Sequence, residues 1–278
     1  MRAPARRSPP DVTLRRARAT TRRVARTFSL ACRLLPATVR DDVYRLYLVF
    51  RTLDDAVDEG EPDAAACVAA VERWARGAAP DSPEAELLAG IAARHPLPRA
   101  ALVDFCRGMR DDLERRPILT EADFDAYCYR VAGTVGLTVA AVLGTTAPAE
   151  REAAALGMAM QRTNILRDLR EDDAHGRRYL PTAGSSGSDT SGPPGVHGDG
   201  DGLVRAQIAR ADAHYEEGMA GIPKLRVGRR AVRAAAAMYR EILREIERRD
   251  YGRSPGRAVV PRRRKLTLVA RHALLAGA

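Results

Sequence analysis

The sequence has few aromatic residues and few cysteines. Aromatic residues make up only 5% of the 278 residues, too few to provide a base-stacking surface for nucleic acid. The four cysteines form no CxxC pair and have no histidine at a metal-ligand offset, so we predict buried thiols in a reducing compartment rather than a zinc site. No uninterrupted apolar stretch approaches the roughly 18 residues that a membrane-spanning helix needs. The sequence therefore argues against a nucleic-acid-binding, a zinc-binding and a transmembrane protein.

Basic residues are concentrated at the two ends of the chain. The formal net charge is +10, and arginine outnumbers lysine 44 to 2. Residues 1–26 carry a net charge of +8 and residues 248–265 carry +7, so the remainder of the chain carries −5. Basic ends suit a solvated tail, an anionic membrane surface or a diphosphate. We predict that residues 1–26 form a disordered basic tail and that a short helix follows it.

Helical periodicity dominates the rest of the sequence. From residue 39 to residue 58 apolar residues recur at helical spacing, with Val43, Tyr47 and Phe50 on one stripe. No segment alternates with the period of two that is typical of strands. Further helices are predicted at 63–78, 83–94, 98–114, 121–144, 149–174, 203–220 and 226–250. The predicted fold is a single all-α helical bundle over residues 27–270.

One segment interrupts the helical pattern. Residues 182–202 contain seven glycines, four serines and two prolines, a composition that buries too little apolar surface to offset the entropy of ordering. Helical patterning resumes after it. We therefore predict a flexible loop inserted within one domain.

Carboxylates end the apolar stripe of the first predicted helix. Asp54 and Asp58 follow Phe50 at helical steps, with Asp55 and Glu59 beside them. Like charges so close together, at the C-terminal end of a helix, are unfavourable unless something cationic compensates them.

The helix predicted at 149–174 also carries carboxylates on one face. Two amides and two carboxylates lie on a single face: Gln161, Asn164, Asp168 and Asp172. Either acidic pair alone is compatible with an exposed face neutralised by arginines, but two facing pairs favour a site for hard divalent cations. Mg²⁺ prefers oxygen ligands and is completed by substrate phosphates. The two helices therefore predict a magnesium-diphosphate site that assists departure of diphosphate.

At this point the chain resembles a known family, the squalene and phytoene synthases. The resemblance lies in separated blocks at 27–31 (TFSLA), 34–36 (LLP), 47–58 (YLVFRTLDDAVD), 127–136 (YCYRVAGTVG), 161–168 (QRTNILRD), 171–172 (ED) and 176–181 (GRRYLP). It covers residues from about 15 to 270. It implies the all-α isoprenoid synthase fold with a central active-site cavity.

The resemblance also implies a reaction and a set of site residues. Two prenyl diphosphates would condense head to head through a cyclopropyl diphosphate intermediate, with two or three Mg²⁺ ions bound by the aspartate motifs. The implied metal-binding residues are Asp54, Asp58, Asn164, Asp168 and Asp172. The implied catalytic residues are Tyr47, Arg51, Tyr129, Arg167, Tyr239 and Arg257. The implied substrate-binding residues are Ser29, Arg51, Gln161, Asn164, Arg177 and Tyr179.

Some features leave the reaction open. Arg162 stands where the family usually has an apolar residue, and Thr52 and Leu53 stand where it has smaller ones, so we expect these residues to reshape the cavity. Condensation of geranylgeranyl diphosphate to phytoene is our first expectation. The alternatives are a squalene-type synthase using farnesyl diphosphate, and an enzyme that transfers the prenyl group to a non-prenyl acceptor such as an aromatic ring or cyclises it. A third alternative is a non-catalytic helical protein whose basic ends bind partners or an anionic membrane.

The expected partners and location follow from the same features. The sequence has no GxGxxG motif after a strand, which would indicate a dinucleotide site. NADPH is therefore a possible cofactor that the sequence does not support. We expect prenyl diphosphates as substrates, no nucleic acid, and a cytoplasmic location with peripheral membrane contact.

Overall fold

A computed structural model describes residues 12–24, 26–181, 200–251 and 256–274. The α-helices are α1 (Val12–Val24), α2 (Arg26–Cys32), α3 (Ala37–Asp58), α4 (Ala64–Ala75), α5 (Pro83–Ala92), α6 (Arg99–Leu113), α7 (Glu121–Cys128), α8 (Thr134–Leu143), α9 (Glu150–Ala174), α10 (Gly200–Ala220), α11 (Arg229–Arg248) and α12 (Arg262–Leu274). Over these residues the structure has no strand, only an isolated antiparallel bridge between Thr145 and Leu225. The predicted all-α fold is confirmed.

Local sequence signals explain where several helices begin. Ser82 caps α5 by accepting a hydrogen bond from the Ala85 N–H at 3.2 Å, and Pro83 occupies the first turn. At the start of α7, Thr120 and Asp123 form a reciprocal capping box. Both helices start at the residue predicted from the sequence.

The helix predicted over 121–144 is divided in the middle. Between α7 and α8 lies one turn of π-helix, Tyr129–Gly133. The Thr134 hydroxyl donates to the Arg130 carbonyl at 2.6 Å, within this irregular region. The segment Glu121–Leu143 is the one described helical stretch long and apolar enough to cross a membrane. In the bundle it packs against α6 and α9 and contributes to the central cavity, which accounts for its apolar composition.

Close packing of α9 against this segment requires glycine. A Cβ atom at Gly157 would lie 2.1 Å from the Ala132 carbonyl oxygen, and one at Gly136 would lie 2.1 Å from the Ala153 carbonyl oxygen. Such distances are far below van der Waals contact, so only glycine permits the two backbones to approach this closely.

Helix α3 lies in the main core, as its apolar stripe predicts. Val43 and Phe50 are buried, and the ring of Phe50 packs edge-to-face on Phe105 with centroids 4.8 Å apart. Leu53 is also buried in the core. Neither Leu53 nor Thr52 lines either of the two cavities described below. The expectation that these two residues reshape the cavity is therefore wrong.

The chain ends differ from the prediction in part. Helix α1 lies within the stretch predicted to be a disordered tail, and it packs on α3 because Ala17 and Thr21, one turn apart, present a small buried surface among the arginines. Arg18 pairs with Asp41 of α3 at 2.6 Å. Residues 1–11 of the predicted tail and 182–199 of the predicted loop lie outside the described residues, while residues 200–202 belong to α10.

The four cysteines are free thiols. Cys32, Cys106 and Cys128 are buried and Cys67 is half-buried. Burial raises the pKa of Cys32 and of Cys106 to about 12. Three of the four cysteines therefore behave as the buried thiols predicted from their spacing.

Arg162 does not reach the cavity. It is fully buried on the opposite side of α9, where it donates to Glu121 at 2.6 Å and to Asp125 at 2.5 Å, both on α7, and to Gln207 on α10. Its guanidinium also lies over the Phe124 ring, 4.5 Å from the centroid. The residue fastens α7 and α10 to α9, so the expectation that it reshapes the cavity is wrong.

We expect the Arg162→Leu variant to lose about 2–4 kcal/mol of stability, because the substitution leaves buried or partly buried acceptors on Glu121, Asp125 and Gln207 without a donor. Urea unfolding followed by circular dichroism measures the loss. The control is Arg73→Leu, which breaks an exposed pair with Asp81 and should cost less than about 1 kcal/mol. Equal losses in the two variants would contradict the structural role of Arg162.

Candidate active site

The first aspartate motif lies at the C-terminal end of α3. Arg51 donates to Asp54 at 2.9 Å and pairs with Asp55, and Arg177 pairs with Asp58. These arginines supply the compensating cations that the run of acidic residues requires. Because Arg177 follows α9 in the chain, its contact with Asp58 also joins the two predicted motifs.

The second motif lies on one face of α9. Asp168 accepts two hydrogen bonds from Arg257, at 2.7 and 2.8 Å, and two from Arg167, at 2.8 and 2.6 Å. Burial alone would raise the pKa of Asp168, but the hydrogen bonds from these two arginines outweigh it and the pKa is lowered. Asp168 is therefore a carboxylate at neutral pH.

The site consists of two adjoining cavities of opposite character. A large, mainly apolar cavity of about 780 Å³ is lined from α2, α3, α8, α9, α10 and α11. A smaller charged cavity of about 490 Å³ shares Arg51 and Arg257 with it. The smaller cavity is lined by Arg51, Asp58, Arg115, Asp168, Glu171, Asp172, His175, Arg177 and Arg257. We call the two the apolar chamber and the charged chamber.

Most predicted site residues line one of the two chambers. The apolar chamber receives Tyr47, Arg51, Asp54, Gln161, Asn164, Arg167, Tyr239 and Arg257. The charged chamber receives Arg51, Asp58, Asp168, Asp172, Arg177 and Arg257. Arg51 and Arg257 line both chambers, so the chambers meet at these two residues. The polar groups therefore lie at one end of the apolar cavity.

Three predicted residues, Ser29, Tyr129 and Tyr179, line neither chamber. Tyr129, in the π-turn, lines neither, and Ser29 is buried with its hydroxyl bonded to Tyr44. In place of Ser29 the structure brings Thr27 to the apolar chamber, and in place of Tyr129 it brings Tyr127 into contact with Asp112 and Tyr179. Each replacement lies two residues upstream in the same sequence block.

Tyr127 connects to the charged chamber through its neighbours. Its hydroxyl donates to Asp112 at 3.1 Å, and its ring stacks on that of Tyr179 with centroids 5.2 Å apart. Tyr179 is in turn bonded to Arg177. Tyr179 was predicted from the sequence, whereas Tyr127 and Asp112 were missed because neither follows the helical spacing of the acidic motifs.

Three carboxyl groups in or near the two chambers have raised pKa values. Desolvation within the site, followed by the charge of Asp58, raises the pKa of Asp54 to about 6. Desolvation, followed by the charge of Asp168, raises the pKa of Asp172 to about 6. Burial, together with the charges of Asp58 and Asp54, raises the pKa of Asp112 to about 7. The arginines present do not fully neutralise these carboxyl groups, so a further cation would be bound favourably.

The donor set fits Mg²⁺ held together with a phosphate ligand. Among the described residues no three His, Cys, Asp or Glu side chains converge closely enough to hold a metal by themselves. Carboxylates instead come in pairs: from α3, Asp54 lines the apolar chamber and Asp58 the charged one, and from α9, Asp168 and Asp172 both line the charged chamber. Mg²⁺ is commonly bound by one or two carboxylates and completed by water and substrate phosphates, so such pairs suit it.

We expect binding of Mg²⁺ with pyrophosphate to weaken on the order of tenfold between pH 7.5 and pH 5.5. A carboxyl group with a pKa of about 6 is ionised above that pH and takes up a proton below it, and a proton competes with a cation. Calorimetric titration at the two pH values measures the change. An affinity that is unchanged over this interval would contradict the raised pKa values of Asp54 and Asp172.

Known proteins are similar to this chain in sequence and in fold. The family model described as squalene/phytoene synthase matches residues 21–264. The chain is 35% identical to the phytoene synthase of Arthrospira platensis, over 96% of this chain and 93% of that protein. It is 38% identical to the phytoene synthase of Thermus thermophilus, over 81% of this chain and 80% of that protein.

Solved structures show the same arrangement of helices. A dehydrosqualene synthase in complex with a ligand is 27% identical, with a TM-score of 0.85 over 95% of this chain and 96% of that one. The squalene synthase HpnC from Alicyclobacillus acidocaldarius is 26% identical, with a TM-score of 0.72 over 88% of this chain and 98% of that one. The chain therefore shares its all-helical fold with these synthases.

Proposed function

The chain belongs to the squalene and phytoene synthase family, and from that premise we propose that it condenses two molecules of geranylgeranyl diphosphate head to head to form phytoene. It is a prenyl-transferring enzyme of the head-to-head type. The choice of phytoene is supported by the phytoene synthases that it resembles over most of their length. The observation that carries the assignment is the charged chamber adjoining the apolar one.

The charged chamber suits the diphosphate groups. Asp54 and Asp58 from α3 and Asp168 and Asp172 from α9 would hold Mg²⁺, with Asn164 beside them. When bound, two or three Mg²⁺ ions would neutralise the negative charge that develops on the departing diphosphate.

The arginines now paired with these aspartates are suited to the phosphate oxygens. Arg51, Arg177 and Arg257 each contact a motif carboxylate. Once cations neutralise the carboxylates, the guanidinium groups are available to the diphosphate, which they match by geometry and charge. The same residues thus hold the site together without substrate and bind the substrate when it arrives.

The apolar chamber suits the prenyl chains and the cationic carbons that ionisation leaves. Tyr47 stacks on Phe28 at a centroid distance of 5.3 Å, and the rings of Tyr47 and Tyr239 both line this chamber. Aromatic faces stabilise a passing cation without supplying a nucleophile. Apolar walls exclude the water that would otherwise quench the allylic cation.

Product analysis tests this function. The purified protein is incubated with Mg²⁺ and either geranylgeranyl or farnesyl diphosphate, with and without NADPH, and the organic phase is analysed by mass spectrometry. We expect phytoene from geranylgeranyl diphosphate, independent of NADPH. Squalene formed from farnesyl diphosphate with NADPH would assign the squalene-type alternative, and pyrophosphate release without a prenyl-prenyl product would favour transfer to a non-prenyl acceptor.

The proposal includes a cytoplasmic location with peripheral contact to an anionic membrane. Helix α12 carries the exposed residues Arg262, Arg263 and Leu266, and the exposed Val259 precedes it. Val259 and Lys265 also line the apolar chamber. A basic surface with exposed apolar side chains suits an anionic bilayer, and this one borders the cavity that would hold the lipophilic product.

Flotation with phosphatidylserine-containing vesicles tests the membrane contact. The variant with Arg262→Gln and Arg263→Gln should float less than the unmodified protein. The control, with Arg73→Gln and Arg107→Gln, removes the same charge from exposed positions on α4 and α6 and should float normally. Absence of flotation for the unmodified protein, or equal flotation of both variants, would count against α12 as the contact surface.

A further inference from the structure

Arg115 occupies a backbone conformation that favours glycine. It follows α6 in a turn in which the Arg116 N–H donates to the Asp111 carbonyl at 2.8 Å and the Arg115 N–H to the Asp112 carbonyl at 3.1 Å. This is the Schellman helix ending, whose left-handed residue is usually glycine. Arg115 has φ +47°. A side chain here is therefore strained, which is acceptable where the side chain serves a function.

The side chain of Arg115 contributes to the charged chamber. It lines that chamber together with Asp58, Asp172 and Arg177. Its neighbour Arg116 lines neither chamber and pairs instead with Asp111 at 3.3 Å and with Glu114 at 3.2 Å. The two adjacent arginines therefore have different surroundings, and only the strained one reaches the site.

Arg115 also differs from the other arginines of the chamber. Arg51 pairs with Asp54, Arg177 with Asp58 and Arg257 with Asp168. Arg115 makes no ion pair with any residue in the part of the chain that the structure describes. Its positive charge is thus not needed to balance a carboxylate in the protein.

We infer that Arg115 binds the phosphate oxygens of the diphosphate in the charged chamber. The inference rests on the proposed function, since it assigns a ligand contact within the same site. A guanidinium group presents paired N–H donors that match phosphate oxygens. No carboxylate has to be displaced from Arg115 before it binds a ligand. It is therefore available to the diphosphate as soon as the diphosphate enters the charged chamber.

Replacing Arg115 by glycine should have two effects that can be measured separately, one on the stability of the protein and one on its affinity for pyrophosphate. Arg115→Gly removes the guanidinium and places the preferred residue in the left-handed turn. We expect its melting temperature to be unchanged or raised by about 1–4 °C. We expect its dissociation constant for pyrophosphate in the presence of Mg²⁺ to rise about tenfold, as is typical when a charged hydrogen bond is lost.

Calorimetric titration with pyrophosphate and Mg²⁺ tests the inference, alongside thermal unfolding of each variant. Arg116→Gly, the control at the adjacent position, should bind as the unmodified protein does, and Arg115→Lys should recover part of the affinity. If Arg115→Gly binds pyrophosphate normally while Asp54→Asn binds it poorly, the inference is overturned and the proposed function stands. If the unmodified protein binds no pyrophosphate with Mg²⁺, both are overturned.

Discussion

Replacing Asp54 by asparagine is expected to reduce turnover by on the order of 10³-fold or more while leaving the protein as stable as before or more stable. The carboxylate lies at the C-terminal end of α3, where it lines the apolar chamber beside Asp58 of the charged one, and a neutral amide neither attracts a divalent cation nor completes its oxygen ligands. A loss of that size corresponds to about 4 kcal/mol of transition-state stabilisation. Pyrophosphate release at saturating Mg²⁺ measures it.

The expected gain in stability follows from the pKa of the same group. Desolvation and the charge of Asp58 raise the pKa of Asp54 to about 6 in the folded protein, above the value of roughly 4 in an unfolded chain. The unfolded chain therefore binds fewer protons between these values, and stability falls as the pH rises through that window. At neutral pH the Asp54→Asn variant lacks this penalty, so its melting temperature without Mg²⁺ should not fall below that of the unmodified protein.

The control for this prediction is Asp81→Asn, which removes an exposed carboxylate paired with Arg73 and should alter neither turnover nor melting temperature appreciably. Asp168→Asn should lose activity in the same way as Asp54→Asn, but without the gain in stability, because the arginines around Asp168 lower its pKa. An Asp54→Asn variant with near-normal turnover would refute the assignment of the carboxylate site.

The second large effect is expected at the contact between α9 and the π-turn. In a Gly157→Ala variant the new Cβ atom would lie 2.1 Å from the Ala132 carbonyl oxygen and 2.7 Å from its carbonyl carbon. These are backbone atoms, which cannot rotate away, so the two segments must separate. We expect a loss of about 3 kcal/mol, which lowers the melting temperature by roughly 6–12 °C.

Gly90→Ala is the matched control for Gly157→Ala. Gly90 lies inside α5, and a Cβ atom there would meet nothing within 4 Å. Because alanine has the higher helix propensity, this variant should gain about 0.5–1 kcal/mol. Gly157 and Ala132 also line the apolar chamber, so Gly157→Ala should lose activity as well as stability. Thermal unfolding curves that shift equally for the two variants would contradict the close-packing account.

The residues predicted most accurately are those set by local helical spacing. The steps from Tyr47 to Asp54 and Asp58 depend only on the period of the helix, and the structure brings all three residues to the two chambers. The helix starts at 83 and 121 were predictable for a similar reason, because their caps lie within a few residues of the helix.

The errors concern rotation about a helix axis and contacts between distant segments. Tyr127 and Tyr129 belong to the same sequence block, and the sequence alone does not distinguish their roles. Tyr127 lies in α7 and Tyr129 in the π-turn, and of the two only Tyr127 reaches Asp112. Ser29 and Thr27 on α2 differ in the same way. A one-dimensional pattern does not specify these orientations.

Charge patterns were the least informative feature. The arginines of α1 suggested a disordered tail, although Ala17 and Thr21 provide a small packing surface that is hard to recognise among them. Arg162 was expected to alter the cavity, but its acceptors come from α7 and α10, which are distant in sequence. The partners of a charged residue follow from the tertiary structure.

A crystal structure with Mg²⁺ and an unreactive thio-analogue of geranylgeranyl diphosphate tests the central claim most directly. The account predicts that the diphosphate lies in the charged chamber between Asp54 and Asp58 on one side and Asp168 and Asp172 on the other, with the prenyl chain extending into the apolar chamber. A diphosphate bound away from these four carboxylates, or a prenyl chain outside the apolar chamber, would contradict it.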